Sequence, residues 1–355
     1  MKTALLLSGG VDSSVALYLL KQQGYDVTAF YLKVWLEDEL SFLGNCPWGE
    51  DLDYARNVCS ALDVPLKLIQ MQKDYLDTVV EYTKNELKAG RTPSPDVMCN
   101  RHIKFGKFID KIDGSFELIA SGHYARVEKK DEKYYLKSAP DAVKDQTYFL
   151  TYLSQEQLSK IIFPIGKFNK NEVRQLAHKF NLSTKSRKDS QGICFLGKIP
   201  YNEFVKYHLG EKPGDVIDIR SGKIISTHNG YWFFTIGQRH GLGLGGGPWY
   251  IVKKDIVKNI IYISTEKLNP SVSRDKFIVR DINWIPKFPE KTSFQVKLRH
   301  GPKKYNCIIE KVNDTKVIVQ LLGKDEGIAA GQFAVFYVKE YCFGGGVIEL
   351  ISTNK

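Results

Sequence analysis

Short apolar runs and amphipathic stretches alternate along the first 70 residues. The runs at 3–8, 27–32 and 66–69 predict buried strands. Between these runs, apolar residues recur at helical spacing at 15–20 and 52–62. A succession of strand, helix, strand, helix and strand is typical of a parallel, doubly wound α/β domain.

The alternation of helices and strands continues to about residue 198 and then gives way to strands alone. Helical patterns recur at 74–89, 155–162 and 171–180, and a further buried strand is predicted at 118–121. From residue 276 onward, short alternating strands predict a small β-barrel, with examples at 294–299, 307–312 and 316–322. We therefore expect an α/β domain at 1–198, a small, mostly β central domain at 199–275 and a C-terminal barrel at 276–355.

Composition and charge narrow the class of protein. The chain has 355 residues, 51 Lys and Arg against 40 Asp and Glu, and a formal charge of +11, which exclude a disordered chain and a disulfide-stapled peptide. The net charges of the three segments are +3, +3 and +5. This even spread favours a folded surface that contacts a polyanion, either nucleic acid or an anionic membrane. A solvated, mildly basic surface is the alternative.

The N-terminus and the cysteines give no sign of secretion. The apolar start is interrupted at Ser8, too early for a secretory signal, and no apolar run is long enough to span a bilayer. We expect a cytoplasmic protein with no membrane partner. The six cysteines form no CxxC pair. We assign four of them to packing: Cys46, Cys59, Cys307 and Cys342.

A glycine loop follows the first predicted strand. Ligands bind at the carboxyl ends of parallel strands, where Gly9 and Gly10 let the backbone approach an anion. Asp12 can hold a magnesium ion or cap the helix. The loop lacks the Walker A lysine and the GxGxxG pattern. It resembles the SGGxDS pyrophosphate loop of ATP pyrophosphatases, and an ordinary strand-to-helix turn is the alternative. The predicted ATP residues are Leu6, Leu7, Ser8, Gly9, Gly10, Val11, Asp12 and Ser13, with Leu32 along the adenine.

Two cysteines stand in unusual surroundings. Pro93 and Pro95 predict a rigid extended loop without helix, in which Asp96 and Cys99 fall on one side of a turn. Three basic residues follow, and positive charge favours a thiolate: Arg101, His102 and Lys104. A buried structural thiol is the alternative. Cys194 lies in a second predicted loop, after a basic run.

Ordered motifs along nearly the whole chain resemble the tRNA-uridine 2-sulfurtransferases, or 2-thiouridylases. They are the loop at 8–13, PxPDxxCNxxIKF at 93–105, SGHYAR at 121–126, KDQTYFL at 144–150, SQGICF at 190–195, TIGQRxGLG at 235–243 and the closing stretch at 338–347. The resemblance implies an ATP-pyrophosphatase domain followed by two tRNA-binding domains. It also implies ATP-dependent replacement of the C2 oxygen of the wobble uridine by sulfur, in tRNAs for lysine, glutamate and glutamine.

The resemblance assigns the chemical roles as well. Cys194 carries a persulfide supplied by a cysteine desulfurase or a sulfur relay protein, and Cys99 is the second thiol, which ends in a Cys99–Cys194 disulfide. Asp96 acts as general acid/base or orients Cys99. Magnesium accompanies ATP, and an iron–sulfur cluster on Asp96, Cys99 and Cys194 is an alternative to the persulfide. Ser94 departs from the Asn that is common in relatives, which places its contact with the base in doubt.

The resemblance places further residues on the substrates. Gly122 is assigned to ATP, and the anticodon stem-loop of tRNA receives the larger set. That set consists of Ser94, Pro95 and Asp96 at the target base, and of His123, Lys144, Asp145, Gln146, Arg299, His300 and Gln332. The alternatives are a satisfied histidine at a strand end for His123, an exposed surface loop for 144–146 and a solvated strand end for Arg299. The aromatic run at 231–234 is expected in the core rather than on a base.

Two rival functions remain open. A ligase or amidotransferase-type synthetase would use the same loop on a small substrate, but it has no need of both Cys99 and Cys194. A non-catalytic RNA-binding protein with a vestigial nucleotide loop has no need of Asp12 either. Cys99→Ser, tested for thiolation and for ATP binding, separates the first rival from the main hypothesis.

Overall fold

The computed structural model describes residues 1–34, 48–189, 200–239, 241–266, 275–287, 290–325 and 327–351. The α-helices are Val11–Gln22, Trp48–Ala61, Gln72–Tyr75, Glu81–Lys88, Pro95–Met98, Phe108–Lys111, Gln155–Ser159, Lys170–Lys179 and Tyr201–Leu209. Two π-helical stretches, Leu76–Val80 and Cys99–Lys107, and two 3₁₀ turns, Thr147–Leu150 and Tyr231–Phe233, complete the helical part. None of the described helices is both long enough and apolar enough to cross a membrane.

The described strands form three sheets and are numbered in chain order. They are β1 Lys2–Leu6, β2 Asp26–Lys33, β3 Leu66–Gln70, β4 Leu118–Ser121, β5 Ala125–Lys130, β6 Lys133–Ser138, β7 Ile161–Ile162, β8 Gly214–Asp218, β9 Ile224–His228, β10 Tyr250–Asp255, β11 Ile260–Ser264, β12 Lys276–Trp284, β13 Ser293–Lys297, β14 Tyr305–Asn313, β15 Lys316–Leu321, β16 Phe333–Val338 and β17 Tyr341–Glu349.

The N-terminal sheet is parallel and has the order β3-β2-β1-β4-β7. Alternate residues of its strands enter different cores, as the two-residue period of a strand requires. Leu5 and Tyr31 pack against the helices Val11–Gln22, Trp48–Ala61 and Lys170–Lys179. Leu6 and Phe30 pack on the other face. Because helices cover both faces, the predicted doubly wound α/β domain is confirmed.

The central sheet has the order β10-β11-β8-β9 and packs on Tyr231, which is 8% exposed. Trp232 and Phe234 pack against the same cluster. The expectation that the aromatic run belongs to the core is therefore confirmed.

The C-terminal sheet closes into a six-stranded barrel in the order β12-β15-β14-β13-β16-β17, with β17 pairing back to β12. The hairpin β5–β6, which lies within the first 198 residues, joins this sheet: Tyr341 pairs with Lys137 and Cys342 with Leu136. Buried residues of β16 share one core with β1 and β4. The catalytic part of the chain and the barrel are thus joined both by a strand ladder and by a common core.

One predicted helix is shorter than its pattern. The pattern at 155–162 predicts a single helix, but the helix ends at Ser159 and Ile161–Ile162 is the edge strand β7. Ile161 is 2% exposed and pairs with Ile119 of β4. Sheet pairing, a contact distant in sequence, overrides the helical spacing here.

Candidate active site

The glycine loop lies at the carboxyl end of β1, and the helix Val11–Gln22 begins directly after it. Gly9 has a φ of +73°, a conformation that glycine adopts at little cost. Ser13 Oγ donates to the carbonyl of Gly10 at 3.2 Å and accepts from the N–H of Ser8 at 3.2 Å. These bonds hold the turn, and the first N–H groups of the helix provide an anion site.

Gly122 lies directly against this loop. A Cβ atom at this position would lie 2.7 Å from Ser13 N and 2.9 Å from the carbonyl carbon of Asp12. A side chain at residue 122 would therefore displace the main chain of the loop. The structure brings together the following predicted ATP residues: Leu6, Leu7, Ser8, Gly9, Gly10, Val11, Asp12, Ser13 and Gly122. Leu32, on the neighbouring strand β2, is half-buried and packs on two cores.

Asp12 is an ion-pair partner rather than a helix cap. Its Oδ1 accepts hydrogen bonds from Lys170 Nζ at 2.7 Å and from the Tyr124 hydroxyl at 2.8 Å. Burial and the charge of Asp12 raise the pKa of Tyr124, so that hydroxyl remains a donor. The Asp12 side chain is 33% exposed. A partly exposed carboxylate beside a phosphate loop fits a magnesium ligand, and Oδ2 is the oxygen that these two bonds leave available.

A cluster of charged residues beside Asp12 was not predicted. Asp189 Oδ1 lies 2.9 Å from Lys170 Nζ, and its Oδ2 lies 2.8 Å from Lys144 Nζ. Arg174 also pairs with Asp189. Arg187 donates to the carbonyl of Gly9 at 2.7 Å and pairs with Asp51. The basic run at 185–188 is visible in the sequence, but its partners lie far away along the chain.

The Cys99 loop is more helical than its prolines predict. An α-helix begins at Pro95, with Ser94 before it, and runs into the π-helical stretch Cys99–Lys107. The prediction of an extended loop is wrong at this point because proline fits the first position of a helix, where no N–H bond is lost. Asp96 and Cys99 remain three residues apart, on one helical face. Cys99 is 3% exposed.

The predicted positive charge around Cys99 is smaller than expected. Burial and the nearby Arg101 lower the pKa of His102 below its usual value of 6.5, so this histidine carries little charge at neutral pH. The guanidinium of Arg101 lies 4.8 Å from the ring centre of Tyr152. The interpretation that His102 contributes positive charge to the thiol is therefore wrong.

His300 of the barrel reaches the neighbourhood of Cys99. Its ring stacks on Phe149, with ring centres 4.6 Å apart. The carbonyl of Phe149 accepts a hydrogen bond from Asn100 Nδ2 at 3.2 Å, and Asn100 follows Cys99 directly. The barrel thus packs beside the loop of the candidate nucleophile.

The segment 144–146 is not the exposed loop that was predicted. Asp145 is 2% exposed and pairs with Lys297 of β13 at 2.8 Å, and Lys297 is itself 1% exposed. Lys144 pairs with Asp189, and Gln146 Oε1 accepts from the N–H of Tyr124 at 2.9 Å. For Asp145, the predicted exposure is wrong, because its carboxylate is used inside the protein to hold the barrel.

His123 lies in the core behind the loop. It is 9% exposed, its Nδ1 lies 2.8 Å from Ser121 Oγ, and its ring lies between Phe105 and Phe163. Burial, and then the charge of Lys104, lower the pKa of His123 well below 6.5. This is the satisfied histidine that was the alternative interpretation. Its contact with tRNA stays a prediction.

The remaining barrel residues line a surface cavity of about 450 Å³. Arg299 borders it and pairs with Asp325, which is 6% exposed, while the Arg299 side chain itself is 51% exposed. Lys303 and Lys324 also line it. Gln332 is half-buried elsewhere on the barrel, and its Oε1 is buried without a hydrogen-bond partner among the described residues.

The cysteines divide into three groups. Cys59, Cys307 and Cys342 are at most 3% exposed and belong to apolar cores, which confirms their assignment to packing. Burial raises the pKa of Cys59 to about 11 and that of Cys342 to about 12. Cys46 and Cys194 lie outside the described residues. Within the part of the chain that the structure describes, no three His, Cys, Asp or Glu residues are grouped to hold a metal ion.

Family models match the chain over three consecutive ranges. The model described as tRNA methyl transferase HUP domain matches residues 1–198, and the model described as tRNA methyl transferase PRC-barrel domain matches 202–265. The model described as Aminomethyltransferase beta-barrel domain matches 274–348.

Full-length relatives agree in their names. The tRNA-specific 2-thiouridylase MnmA of Parabacteroides distasonis is 42% identical over 356 residues, covering 98% of this chain and 99% of the relative. MnmA 1 of Bacteroides thetaiotaomicron is 43% identical, and MnmA of Porphyromonas gingivalis is 41% identical, each covering 98% of this chain and 99% of the relative. The motifs, the fold and these relatives lead to one conclusion: the chain belongs to the MnmA family of tRNA-specific 2-thiouridylases.

Proposed function

We propose that this chain uses ATP to replace the C2 oxygen of the wobble uridine by sulfur in tRNAs for lysine, glutamate and glutamine. One set of contacts supports this more than any other. Gly122 packs on Ser13 of the phosphate loop, and the next residue, His123, contacts Phe105, which lies in the π-helical stretch that begins at Cys99. The phosphate loop and the cysteine loop are therefore neighbours in one domain.

The first half of the reaction is activation of the uridine. The C2 oxygen attacks the α-phosphorus of ATP, and pyrophosphate leaves. The N–H groups at the start of the helix Val11–Gln22 hold the phosphates, and Asp12 holds magnesium through Oδ2. Gly9 and Gly122 keep the space beside the loop clear of side chains, and Leu32 lies along the adenine. A carbonyl oxygen leaves poorly, whereas AMP leaves readily.

The second half is sulfur transfer. The terminal sulfur of a Cys194 persulfide attacks C2 and displaces AMP. Cys99 then attacks the Cys194 sulfur, which leaves the outer sulfur on the uridine and forms a Cys99–Cys194 disulfide. A thiol reductant restores both cysteines for the next turnover. Cys194 lies outside the described residues, but Asp189, five positions before it, is held beside Lys170 and the phosphate loop.

Asp96 is the proposed proton-transfer or orienting group. It stands one helical turn before Cys99 at the start of the helix Pro95–Met98. This spacing lets its carboxylate take the proton of the Cys99 thiol or hold the thiol in place. Ser94 and Pro95, at the same helix start, are proposed to border the target base.

The tRNA is proposed to lie across all three parts of the chain, with the roles of domains 199–275 and 276–355 being RNA binding. Arg299 and His300 border the barrel cavity and suit phosphate and base contacts. His123, Lys144, Gln146 and Gln332 keep their predicted tRNA contacts as part of this proposal. A wobble base is unstacked at modest cost, because the anticodon loop is single-stranded. The sulfur donor is a cysteine desulfurase or relay protein, and the setting is the cytoplasm.

The decisive experiment measures the modification itself. Purified protein, tRNA, ATP, magnesium and a persulfide donor are combined, and the nucleosides are analysed by mass spectrometry. We expect 2-thiouridine with the native chain and none with Cys99→Ser, while ATP binding survives in the variant. Cys307→Ser, at a buried cysteine in the barrel, is the control and should retain activity. Absence of 2-thiouridine with the native chain, in vitro and in cells, contradicts the proposal.

The same assay tests the rivals. A synthetase acting on a small substrate would release pyrophosphate without tRNA and would tolerate Cys99→Ser. A non-catalytic RNA-binding protein would bind tRNA but release no pyrophosphate at all. The thiouridylase requires tRNA, ATP and both cysteines together.

A further inference from the structure

Three cationic side chains converge on the single carboxylate of Asp189. Lys170 Nζ lies 2.9 Å from Oδ1, Lys144 Nζ lies 2.8 Å from Oδ2, and Arg174 pairs with Oδ1. The Asp189 side chain is 22% exposed and that of Lys170 is 13% exposed, so the group is only partly open to solvent. One carboxylate thus occupies the centre of a site that has three positive charges.

The cations are held by the fold and not only by Asp189. Lys170 and Arg174 lie one turn apart at the start of the helix Lys170–Lys179, whose N-terminus carries a capping box of Asn169 and Glu172. Asp141 accepts from the main-chain N–H groups of Lys170 and Lys144, each at 3.1 Å. The three cations therefore have a scaffold that does not depend on the Asp189 side chain.

This cluster borders the phosphate loop. Lys170 Nζ, the same atom that binds Asp189, lies 2.7 Å from Asp12 Oδ1. Arg174 also donates to the carbonyl of Arg187 at 2.6 Å, and Arg187 donates to the carbonyl of Gly9 at 2.7 Å. Asp189 is thereby one ammonium group away from the helix N-terminus that is proposed to hold the phosphates of ATP.

The donors around Asp189 suit a phosphate better than they suit a carboxylate. Phosphate oxygens bind several Lys and Arg donors at once through charge-assisted hydrogen bonds. Burial alone would raise the pKa of Asp189, but hydrogen bonds from Lys144 and Lys170 outweigh it and hold that pKa well below 3.8. Asp189 therefore stays anionic at neutral pH and resembles a phosphate oxygen pair in charge and in hydrogen bonding.

We infer that Lys144, Lys170 and Arg174 form a subsite for the pyrophosphate group of ATP, and that Asp189 occupies it as an internal competing anion until the nucleotide displaces it. The inference rests on the proposed function, because it names a second set of ligands for the same ATP. It also assigns Lys170 two positions along the reaction: on Asp12 and Asp189 before the nucleotide binds, and on phosphate oxygens afterwards.

A purely structural role for Asp189 predicts the opposite sign. If Asp189 serves to order the three cations for the phosphates, its removal loosens them and weakens pyrophosphate binding. If Asp189 competes with the phosphates, its removal strengthens binding, because the apparent affinity rises with the fraction of open sites. The direction of the change therefore separates the two roles.

The experiment is isothermal titration of the full chain and of Asp189→Asn with inorganic pyrophosphate. Asparagine keeps the shape and removes the charge. We expect Asp189→Asn to bind pyrophosphate about tenfold more tightly than the native chain. Asp113→Asn is the matched control, because it removes the same charge beside Lys2, at the opposite edge of the sheet, and should leave affinity unchanged. Equal or weaker binding by Asp189→Asn, or no binding by either chain, overturns the inference.

A second pair of variants tests the cations without altering Asp189. Lys170→Met should weaken pyrophosphate binding about tenfold or more, whereas Lys111→Met, which removes a lysine paired with Asp74 elsewhere, should not. Unchanged binding by Lys170→Met overturns the inference even if Asp189→Asn fails to fold. Thiolation by the native chain is measured separately: activity combined with the wrong sign in Asp189→Asn refutes only the subsite, and absent activity refutes the proposed function.

Discussion

Two carboxylates of this protein bind lysine at nearly the same distance in opposite surroundings. Asp145 and Lys297 lie 2.8 Å apart and are 2% and 1% exposed. Asp189 and Lys170 lie 2.9 Å apart and are 22% and 13% exposed. Distance alone does not distinguish the two contacts, but their surroundings do.

The buried pair is complete in itself. Asp145 also accepts from Thr147 Oγ1 at 3.0 Å and 2.9 Å and from the N–H of Ala139 at 3.2 Å, so both carboxylate oxygens are bonded. Lys297 belongs to β13 of the barrel, whereas Asp145 follows the hairpin β5–β6 of the catalytic part. One anion and one cation match each other, and the pair joins two parts of the fold.

The cluster at the phosphate loop has more donors than one carboxylate needs, and water reaches it. Such a cluster can exchange one anion for another, since its cations are not committed to a single partner. A buried pair cannot do so without leaving an uncompensated charge. The difference teaches that accessibility and an excess of cations, rather than contact length, mark the ion pairs available for ligand binding.

The largest expected effect lies at the buried pair. Lys297→Met leaves the carboxylate of Asp145 buried without its cation, and removal of one partner from such a pair costs about 3–5 kcal/mol of stability. We expect this loss in equilibrium urea unfolding of the full chain, followed by tryptophan fluorescence. Because Asp145→Asn removes the stranded charge, the double variant should recover part of it.

A surface pair provides the control for this experiment. Lys84 lies 2.7 Å from Glu81 on a helix, and the two side chains are 22% and 48% exposed. Lys84→Met should cost about 0–1 kcal/mol, as exposed pairs do. A loss as small as this in Lys297→Met would place both pairs in one class and remove the comparison.

The parts of the fold that could be predicted from the sequence are those set by local pattern. The strands β1 to β4 follow apolar runs, and the glycine loop is continuous in the chain, so both were predicted. Asp145 was assigned to an exposed loop because its neighbours are polar, whereas its partner Lys297 lies 152 positions away. Lys170 was missed altogether, since its partner Asp12 lies 158 positions away. Periodicity carries no information on such pairings.

Two local features also depended on their surroundings. Pro95 could equally end an extended loop or begin a helix, and the packing of the following Val97, which is fully buried, favours the helix. His123 has the same sequence neighbours whether it faces tRNA or the core. Its burial becomes visible only when Phe105 and Phe163 are placed on either side of it.

A smaller effect is expected at Gly122, where it should appear in ligand affinity more than in stability. Gly122→Ala places a Cβ 2.7 Å from Ser13 N, so the phosphate loop must shift. We expect ATP affinity to fall about tenfold or more, with a stability loss of about 1–3 kcal/mol from overpacking. Gly114→Ala is the control, because no atom lies within 4 Å of its Cβ. Unchanged ATP affinity in Gly122→Ala would separate this glycine from the nucleotide site.

The smallest effect is a pH dependence at His123, a buried group that avoids charge instead of pairing it. Because burial lowers its pKa well below 6.5, the folded chain keeps the imidazole neutral while the unfolded chain binds a proton below that pH. Stability therefore falls as the pH decreases below 6.5, by at most about 1.4 kcal/mol for each pH unit from this one proton. Asp189 adds nothing in this range, since its pKa is held well below 3.8. His123→Gln should reduce the slope of unfolding free energy between pH 6.5 and 5, and His102→Gln, at a less buried histidine, should reduce it less. An unchanged slope in His123→Gln would mean that this imidazole is protonated in the folded protein, and the ring would then be a third charged group beside the phosphate loop rather than a neutral part of the core.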